Sequence, residues 1–108
     1  LIAVSSKMDS PIILLSHPSS HKLGEDSQEA WCSGRFQVLN VNTLAVGGVK
    51  WNEQDDHSKW AIAGNEYACF GDMNRMTSQW KRGGSFFCLS DSTLVSAMKN
   101  VIVTHDNC

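Results

Sequence analysis

Four widely spaced cysteines are the feature that most constrains how this 108-residue chain folds. They are Cys32, Cys69, Cys88 and Cys108, and no two of them form a Cys-x-x-Cys pair of the kind that holds zinc. A domain of this length buries only a modest core, so cross-links contribute substantially to its stability. The even number therefore indicates two disulfides in a secreted or lysosomal protein, and four buried thiols of a cytosolic protein are the alternative. Four cysteines allow three pairings, and the spacing alone does not choose among them.

The chain is predicted to be a single domain, residues 1–108, because its length and its 42% hydrophobic fraction are ordinary for one globular unit. No apolar run approaches the roughly 18 residues that span a membrane, so we expect no membrane segment. The apolar start, residues 1–4, is too short for the core of a signal peptide. We therefore expect either a chain whose targeting segment was removed or an internal fragment.

The charge balance does not by itself indicate a nucleic-acid-binding protein. The formal net charge is -2 at pH 7, and the chain has no basic arm. At about pH 5, however, most of its four histidines would be protonated, which shifts the charge by roughly +4, to about +2. A protein that works in an acidic compartment can therefore have a neutral composition at pH 7.

Short apolar runs between turn residues predict a mixed α/β fold, a strand-rich mixed sheet with a flanking helix. The apolar run at residues 12–15 predicts a strand buried on both faces. Gly64 and Asn65 predict a hairpin turn between two later strands. The predicted strands cover residues 11–17, 36–42, 57–63, 66–70 and 85–89, with a turn at 47–48, an acidic loop at 52–56 and polar loops at 18–30 and 75–84.

One helix is predicted at residues 92–101, where apolar side chains recur on one face. Asp91 or Ser92 is the expected N-cap, since both side chains can accept a hydrogen bond from the first turn. We expect this helix to serve packing rather than function.

The tripeptide His57-Ser58-Lys59 pairs an imidazole with an ammonium, a combination suited to a phosphodiester. If the segment is a strand, its side chains alternate, so His57 and Lys59 share one face while Ser58 and Trp60 occupy the other. Lysine neutralises a non-bridging phosphate oxygen, and histidine attacks phosphorus or protonates the leaving oxygen. Such a tripeptide also occurs by chance, and it then marks only a partly exposed histidine on an edge strand.

A second segment, residues 71–74 with sequence GDMN, follows the strand predicted at 66–70. Gly71 allows backbone or ligand to approach closely, and Asn74 offers an amide donor to an anionic oxygen. A plain turn is the alternative. The spacing strengthens the functional interpretation of both segments, because Lys59 follows His57 by 2 positions, Gly71 by 14 and Asn74 by 17.

This spacing resembles the phospholipase D superfamily pattern, in which Gly-Ser-x-Asn follows His-x-Lys at the same offsets. The resemblance implies phosphoryl transfer through a phosphohistidine, without a metal or other cofactor, and two such motifs at one active site. Two positions depart from the pattern, since Gly64 stands where the superfamily has an acidic residue and Asp72 where it has serine.

Longer blocks narrow the resemblance to the C-terminal region of the DNase II family of acid deoxyribonucleases. The blocks are QVLNVN at 37–42, DHSKW at 56–60, CFGDMNR at 69–75 and RGG at 82–84. The four blocks occur in the order found in the family. The resemblance covers roughly residues 32–108, and the similarity before residue 32 is weaker. The family shares the departures at Gly64 and Asp72. The fold is therefore expected to resemble the C-terminal half of a phospholipase D-like fold.

The resemblance implies an endonuclease that hydrolyses DNA at acidic pH without metal and leaves 3′-phosphates. His57, Lys59 and Asn74 are the implied catalytic residues, with His57 as the general acid that protonates the leaving oxygen. Gly71 and Asp72 are the implied substrate-binding residues.

The same resemblance implies which cysteines pair. Cys69 is expected to bond to Cys88, and Cys32 to Cys108. The family's paired cysteines fall at these positions.

A further departure concerns the second half of the active site. The family needs another His-x-Lys from the N-terminal half, and none of His17, His21 and His105 has a lysine two positions on. The expected partners are therefore DNA together with the N-terminal half of the same protein or a second copy, and the chain alone is expected to be inactive. The alternatives are a non-catalytic secreted homologue that binds nucleic acid or a host protein, and a disulfide-linked structural module.

Overall fold

The computed structural model describes residues 10–15, 30–32, 36–72 and 84–108. Within these ranges the elements are β1 (Ile12–Leu15), β2 (Val38–Val46), β3 (Val49–Asn52), a 3-10 helix (Glu53–Asp55), β4 (Trp60–Ala63), β5 (Tyr67–Gly71), β6 (Phe86–Ser90), α1 (Ser92–Val101) and β7 (Ile102–His105). This is the predicted mixed α/β domain, with a strand-rich sheet and one helix beside it. No helix in the described ranges is long and apolar enough to cross a membrane.

The seven strands form one mixed sheet. Neighbouring strands follow the order β3-β2-β1-β4-β5-β6, and β7 also pairs with β2. Strands β1 and β2 run parallel, while the other described pairings are antiparallel. The hairpin β4–β5 turns at Gly64, which has a φ of 58° that glycine adopts without strain.

The most buried strand is the one with the most continuous apolar sequence. In β1, Ile12 and Leu14 are 1% exposed and Leu15 is not exposed at all. The strand lies between β2 and β4, so both of its edges are hydrogen bonded, and its side chains contribute to clusters on both faces of the sheet. The prediction of a strand buried on both faces is confirmed, although residues 16 and 17 lie outside the described part.

The helix covers one face of the sheet. Val95 is buried against Ile62 and Ala68 of the central strands. The carboxylate of Asp91 accepts the Leu94 backbone N–H at 3.0 Å, so Asp91 is the N-cap and Ser92 is the first helical residue. The helix therefore has the packing role that its apolar stripe predicts.

Side chains on the other face form a separate cluster. Alternate residues of the central strands contribute to it because side-chain direction has a period of two along a strand. Its buried members are Ile12, Leu14, Val38, Ala61, Ala63 and Cys69.

Both predicted disulfides are present. Cys69 and Cys88 lie directly opposite each other on β5 and β6, with their Cα atoms 4.0 Å apart. Cys32 and Cys108 are 5.7 Å apart between Cα atoms and join two points 76 residues apart in sequence. The first bond links two neighbouring strands, and the second closes most of the domain into one covalent loop.

The largest differences from the predicted strands are at β2, β3, β4 and β7. Strand β2 starts at Val38 and continues to Val46, well past the predicted end at 42, and it is paired there with β3 and β7. Neither β3 nor β7 was predicted, because both have exposed apolar residues instead of a buried stripe: Val49 is 65% and Val103 47% exposed. Strand β4 begins at Trp60 and not at residue 57.

Other predicted segments can be compared only in part. The acidic segment predicted as a loop at 52–56 contains the 3-10 helix, and the strand predicted at 85–89 is β6 at Phe86–Ser90. The polar loops predicted at 18–30 and 75–84 lie outside the described residues except at positions 30 and 84.

Candidate functional site

The two segments that the sequence singled out lie side by side at one end of the β4–β5 hairpin. Trp60 pairs with Phe70 in the antiparallel register, so the next pair beyond the strand is Lys59 with Gly71. The Gly71 backbone N–H donates to the Lys59 carbonyl at 3.0 Å, which extends the ladder by one residue. The hairpin therefore brings His-x-Lys and the start of GDMN together although 11 residues separate Lys59 from Gly71.

Residues 57–59, predicted as the start of a strand, lie before β4 in a turn that begins at Asp56. The Asp56 carboxylate accepts the Ser58 backbone N–H at 2.9 Å and the Ser58 hydroxyl at 2.5 Å. Such local bonds compete with strand pairing, which explains why β4 starts later than predicted. The strand alternation argument therefore does not apply directly to His57.

Ser58 and Trp60 were predicted to share the face opposite His57 and Lys59, and they do lie on one side of the hairpin. Ser58 and Trp60 both line a cavity of about 270 Å³ beside the helix. This cavity is mostly apolar and lies against α1, β2 and β3. The complete lining is Leu44, Val46, Trp51, Asp56, Ser58, Trp60, Phe70, Leu94, Met98 and Val101.

The lysine side chain turns back onto the backbone of its own turn. Lys59 is half-buried, and its Nζ donates to the His57 carbonyl at 2.6 Å, while His57 is exposed. An ammonium has three N–H donors, and this contact uses one of them. The arrangement places the ammonium against the backbone of the turn and leaves the imidazole at the surface.

Gly71 makes room for an aromatic ring. A Cβ at this position would lie 2.9 Å from the Phe86 ring, which is closer than real Cβ contacts come. The close approach at Gly71 is therefore made by the Phe86 ring of the neighbouring strand, and the predicted approach of backbone or a ligand stays a prediction.

Asp72 ties the end of β5 to the start of β6. Its Oδ1 accepts the Ser85 backbone N–H at 3.0 Å, and the side chain is exposed. This carboxylate therefore stabilises the strand ends beside the turn. The prediction for Asn74 lies outside the described residues.

Asp56 and Trp51, two neighbours of the motif, are joined by a hydrogen bond. The Trp51 indole N–H donates to the second carboxylate oxygen of Asp56 at 2.8 Å. A signal was available, since an Asp two positions before a Ser is a common start of a side-chain-capped turn. The indole contact was not predictable, because β3 itself was not predicted.

The hydrogen bonds around Asp56 decide the direction of its pKa shift. Burial pushes the pKa up, but the Ser58 hydroxyl, the Trp51 indole, the Ser58 backbone N–H and the charge of His57 together lower it below the ordinary value of 3.8. Asp56 is therefore ionised at mildly acidic pH.

Comparison with known proteins gives one family. The model of the family described as Deoxyribonuclease II matches residues 3–108. No solved structure matches the chain.

Curated relatives match along most of this chain but only a small part of their own length. Cell-death-related nuclease 7 of Caenorhabditis elegans is 34% identical over 86 residues, 77% of this chain and 23% of that protein. Deoxyribonuclease-2 of the same organism is 48% identical over 81 residues, 71% of this chain and 21% of the relative. Deoxyribonuclease-2-alpha of Sus scrofa is 36% identical over 81 residues, which are 71% of this chain and 22% of that protein. The matched part thus spans about a fifth of these relatives.

Proposed function

The chain belongs to the deoxyribonuclease II family, and from that premise we propose that it supplies one half of the active site of an endonuclease that hydrolyses DNA phosphodiesters. The observation that carries the proposal is the contact between the two family motifs. The 3.0 Å bond from the Gly71 N–H to the Lys59 carbonyl joins them where the hairpin ladder ends.

His57 is the proposed general acid. It is exposed at the tip of the turn, where a bulky phosphodiester has access. An imidazole is the side chain best suited to carry a transferable proton at mildly acidic pH and to give it to the leaving oxygen. The proposal therefore predicts an acidic working pH.

Lys59 and Asn74 are the proposed electrostatic partners of His57. A lysine ammonium beside the histidine neutralises a non-bridging oxygen and the charge that develops on it in the transition state. The amide of Asn74 would donate to another oxygen, with Gly71 and Asp72 shaping the approach on the same arm.

A second histidine must complete the reaction. If one histidine attacks phosphorus, protonation of the leaving oxygen needs a donor on the opposite side. This chain has a single His-x-Lys, so we propose that the other comes from the N-terminal half of the protein or, failing that, from a second copy. The reaction proceeds without metal and leaves 3′-phosphates on the products.

The proposed setting is outside the cell or in lysosomes. Two disulfides persist in oxidising surroundings, and a histidine acid operates best at the pH of an acidic compartment.

Plasmid cleavage at about pH 5 in excess chelator tests the proposal. Residues 1–108 are assayed alone and as part of the full-length protein that carries them, and the product ends are analysed for 3′-phosphate. We expect cleavage by the full-length protein and none by residues 1–108 alone. Robust cleavage by the short chain as a monomer would contradict the two-half mechanism, and a full-length protein that binds DNA without cutting it would support the non-catalytic alternative.

A further inference from the structure

We propose that Asp56 is a positioning residue that sets the conformation of the turn carrying His57 and Lys59, with Trp51 as its anchor. The inference rests on the proposed function, since it concerns how the proposed general acid is held. It assigns a role to two residues outside the His-x-Lys and GDMN motifs.

The first step of the argument is that Asp56 fixes the backbone on both sides of His57. One carboxylate oxygen of Asp56 accepts both the N–H and the hydroxyl of Ser58, at 2.9 and 2.5 Å. His57 is the residue enclosed between them. The loop that Asp56 and Ser58 close therefore constrains the backbone conformation of His57, whose side chain is exposed.

The second step is that the carboxylate is itself anchored to the sheet. The other oxygen accepts the Trp51 indole N–H at 2.8 Å. Trp51 lies on β3, where it pairs with Leu44 and packs against the cluster of Leu15, Val41 and Leu44. The Asp56 carboxylate therefore links the exposed turn to a half-buried indole of the sheet.

The third step is that the other end of the turn is anchored independently. The Lys59 carbonyl accepts the Gly71 N–H on β5, and the Lys59 ammonium closes onto the His57 carbonyl. The turn is consequently held from β3 at one end and from β5 at the other. Removing the Asp56 contacts would release only the end next to His57.

The contacts of Asp56 also fit an acidic working pH. Its hydrogen bonds and the nearby charge of His57 outweigh the effect of burial and lower its pKa. The carboxylate thus keeps both oxygens as acceptors when the imidazole is protonated.

The test compares Asp56→Asn with Asp55→Asn in the full-length protein. Both changes remove one negative charge from neighbouring positions, but Asp55 is an exposed residue of the 3-10 helix. An asparagine at 56 keeps one acceptor oxygen and turns an NH2 group towards the Trp51 indole N–H. We expect Asp56→Asn to lower kcat about tenfold or more, because small misplacements of a catalytic group have large effects, while KM for plasmid DNA changes by less than about twofold. Asp55→Asn should change neither.

A double variant tests whether Trp51 acts through Asp56. Trp51→Phe removes the indole donor, so Asp56→Asn combined with Trp51→Phe should lose no more kcat than Asp56→Asn alone. Additive losses in kcat, or equal kcat for the Asp55 and Asp56 variants, would overturn the proposal.

A spectroscopic measurement keeps this inference distinct from the nuclease proposal. In two-dimensional NMR spectra, Asp56→Asn should shift the backbone amides of residues 57–59 and the Trp51 indole N–H, and Asp55→Asn should leave them in place. If the wild-type protein proves inactive, these shifts still decide whether Asp56 holds the turn. Unmoved amides in a folded Asp56→Asn variant would refute that role.

Discussion

Asp106 holds the segment after β7 against β2, and replacing it tests how the end of the described chain is stabilised. Its carboxylate accepts the Asn40 side-chain amide at 3.0 Å and the Asn42 side-chain amide at 3.1 Å. Its own backbone N–H donates to the Asn40 carbonyl at 2.9 Å. Asn40 is the residue most affected, because it is only 5% exposed and its side chain is polar.

The magnitude follows from these contacts. Hydrogen bonds to a charged group contribute about 1.5–3 kcal/mol each, and the Asp106 carboxylate accepts two of them from side-chain amides. The two contributions overlap at a half-buried site that water can enter, so Asp106→Ala should lower the free energy of unfolding by about 3 kcal/mol. For a domain of this size that corresponds to roughly 10–15 °C in Tm.

Urea unfolding followed by tryptophan fluorescence measures this effect. Asp55→Ala is the matched control, because it removes an exposed carboxylate and should change the stability by less than about 0.5 kcal/mol. Asn42→Ala removes one of the two amide bonds and should fall between them, at about 1 kcal/mol. A change of under about 1 kcal/mol for Asp106→Ala, with an unchanged m-value, would refute the reasoning.

Three further outcomes are expected. Replacing Cys32 and Cys108 together by Ser releases a constraint across 76 residues and should cost about 4 kcal/mol in the chain-entropy model, so an unchanged urea midpoint under oxidising conditions would contradict it. Gly71→Ala forces the Phe86 ring to move, since the added Cβ would lie 2.9 Å from it, and should cost about 1–3 kcal/mol in thermal unfolding. The pKa of Asp56 is lowered in the folded state, so its contribution to stability is present above the ordinary value of 3.8 and is lost as the pH falls through the lower folded value. The difference in unfolding free energy between wild type and Asp56→Asn should therefore be constant above about pH 5 and shrink below about pH 4. A difference that grew on acidification would be inconsistent with the lowered pKa.

Local sequence signals predicted the centre of the sheet and the helix. The apolar run of β1 has enough hydrophobic residues to be buried on both faces, so its burial could be predicted from these residues alone. The turn at Gly64 and the N-cap at Asp91 depend on conformations and hydrogen bonds formed within a few residues. Each of these features can be inferred without knowing the rest of the fold.

Features that depend on distant partners were missed. Strands β3 and β7 are defined by hydrogen bonds to β2, and their exposed side chains carry no period-two pattern of burial. Residues 57–59 were predicted as part of a strand for a different reason, since the bond between Asp56 and Ser58 is local but has little weight in a pattern of apolar residues. The indole that supports this turn comes from β3.

The candidate site was predicted from motif spacing together with family resemblance. The hairpin register explains the spacing of its first half, since Lys59 and Gly71 are opposite each other at the end of the ladder. The disulfide pairing came only from the resemblance. In the structure Cys69 and Cys88 are opposed on paired strands, which a count of intervening residues does not reveal.

The central claim is that His57 is the proton donor of a DNA-cleaving active site. The most direct test is the rate of plasmid cleavage at about pH 5, in excess chelator, by the full-length protein carrying His57→Gln, with His105→Gln as the control. His105 lies on β7 and makes a 2.6 Å contact from its Nδ1 to the Asp106 carbonyl, away from the β4–β5 hairpin end. General acid catalysis contributes about 10²–10⁴-fold, so His57→Gln should lose at least about 100-fold in rate while His105→Gln remains within about threefold of wild type. Equal rates for wild type and a folded His57→Gln variant would contradict the account.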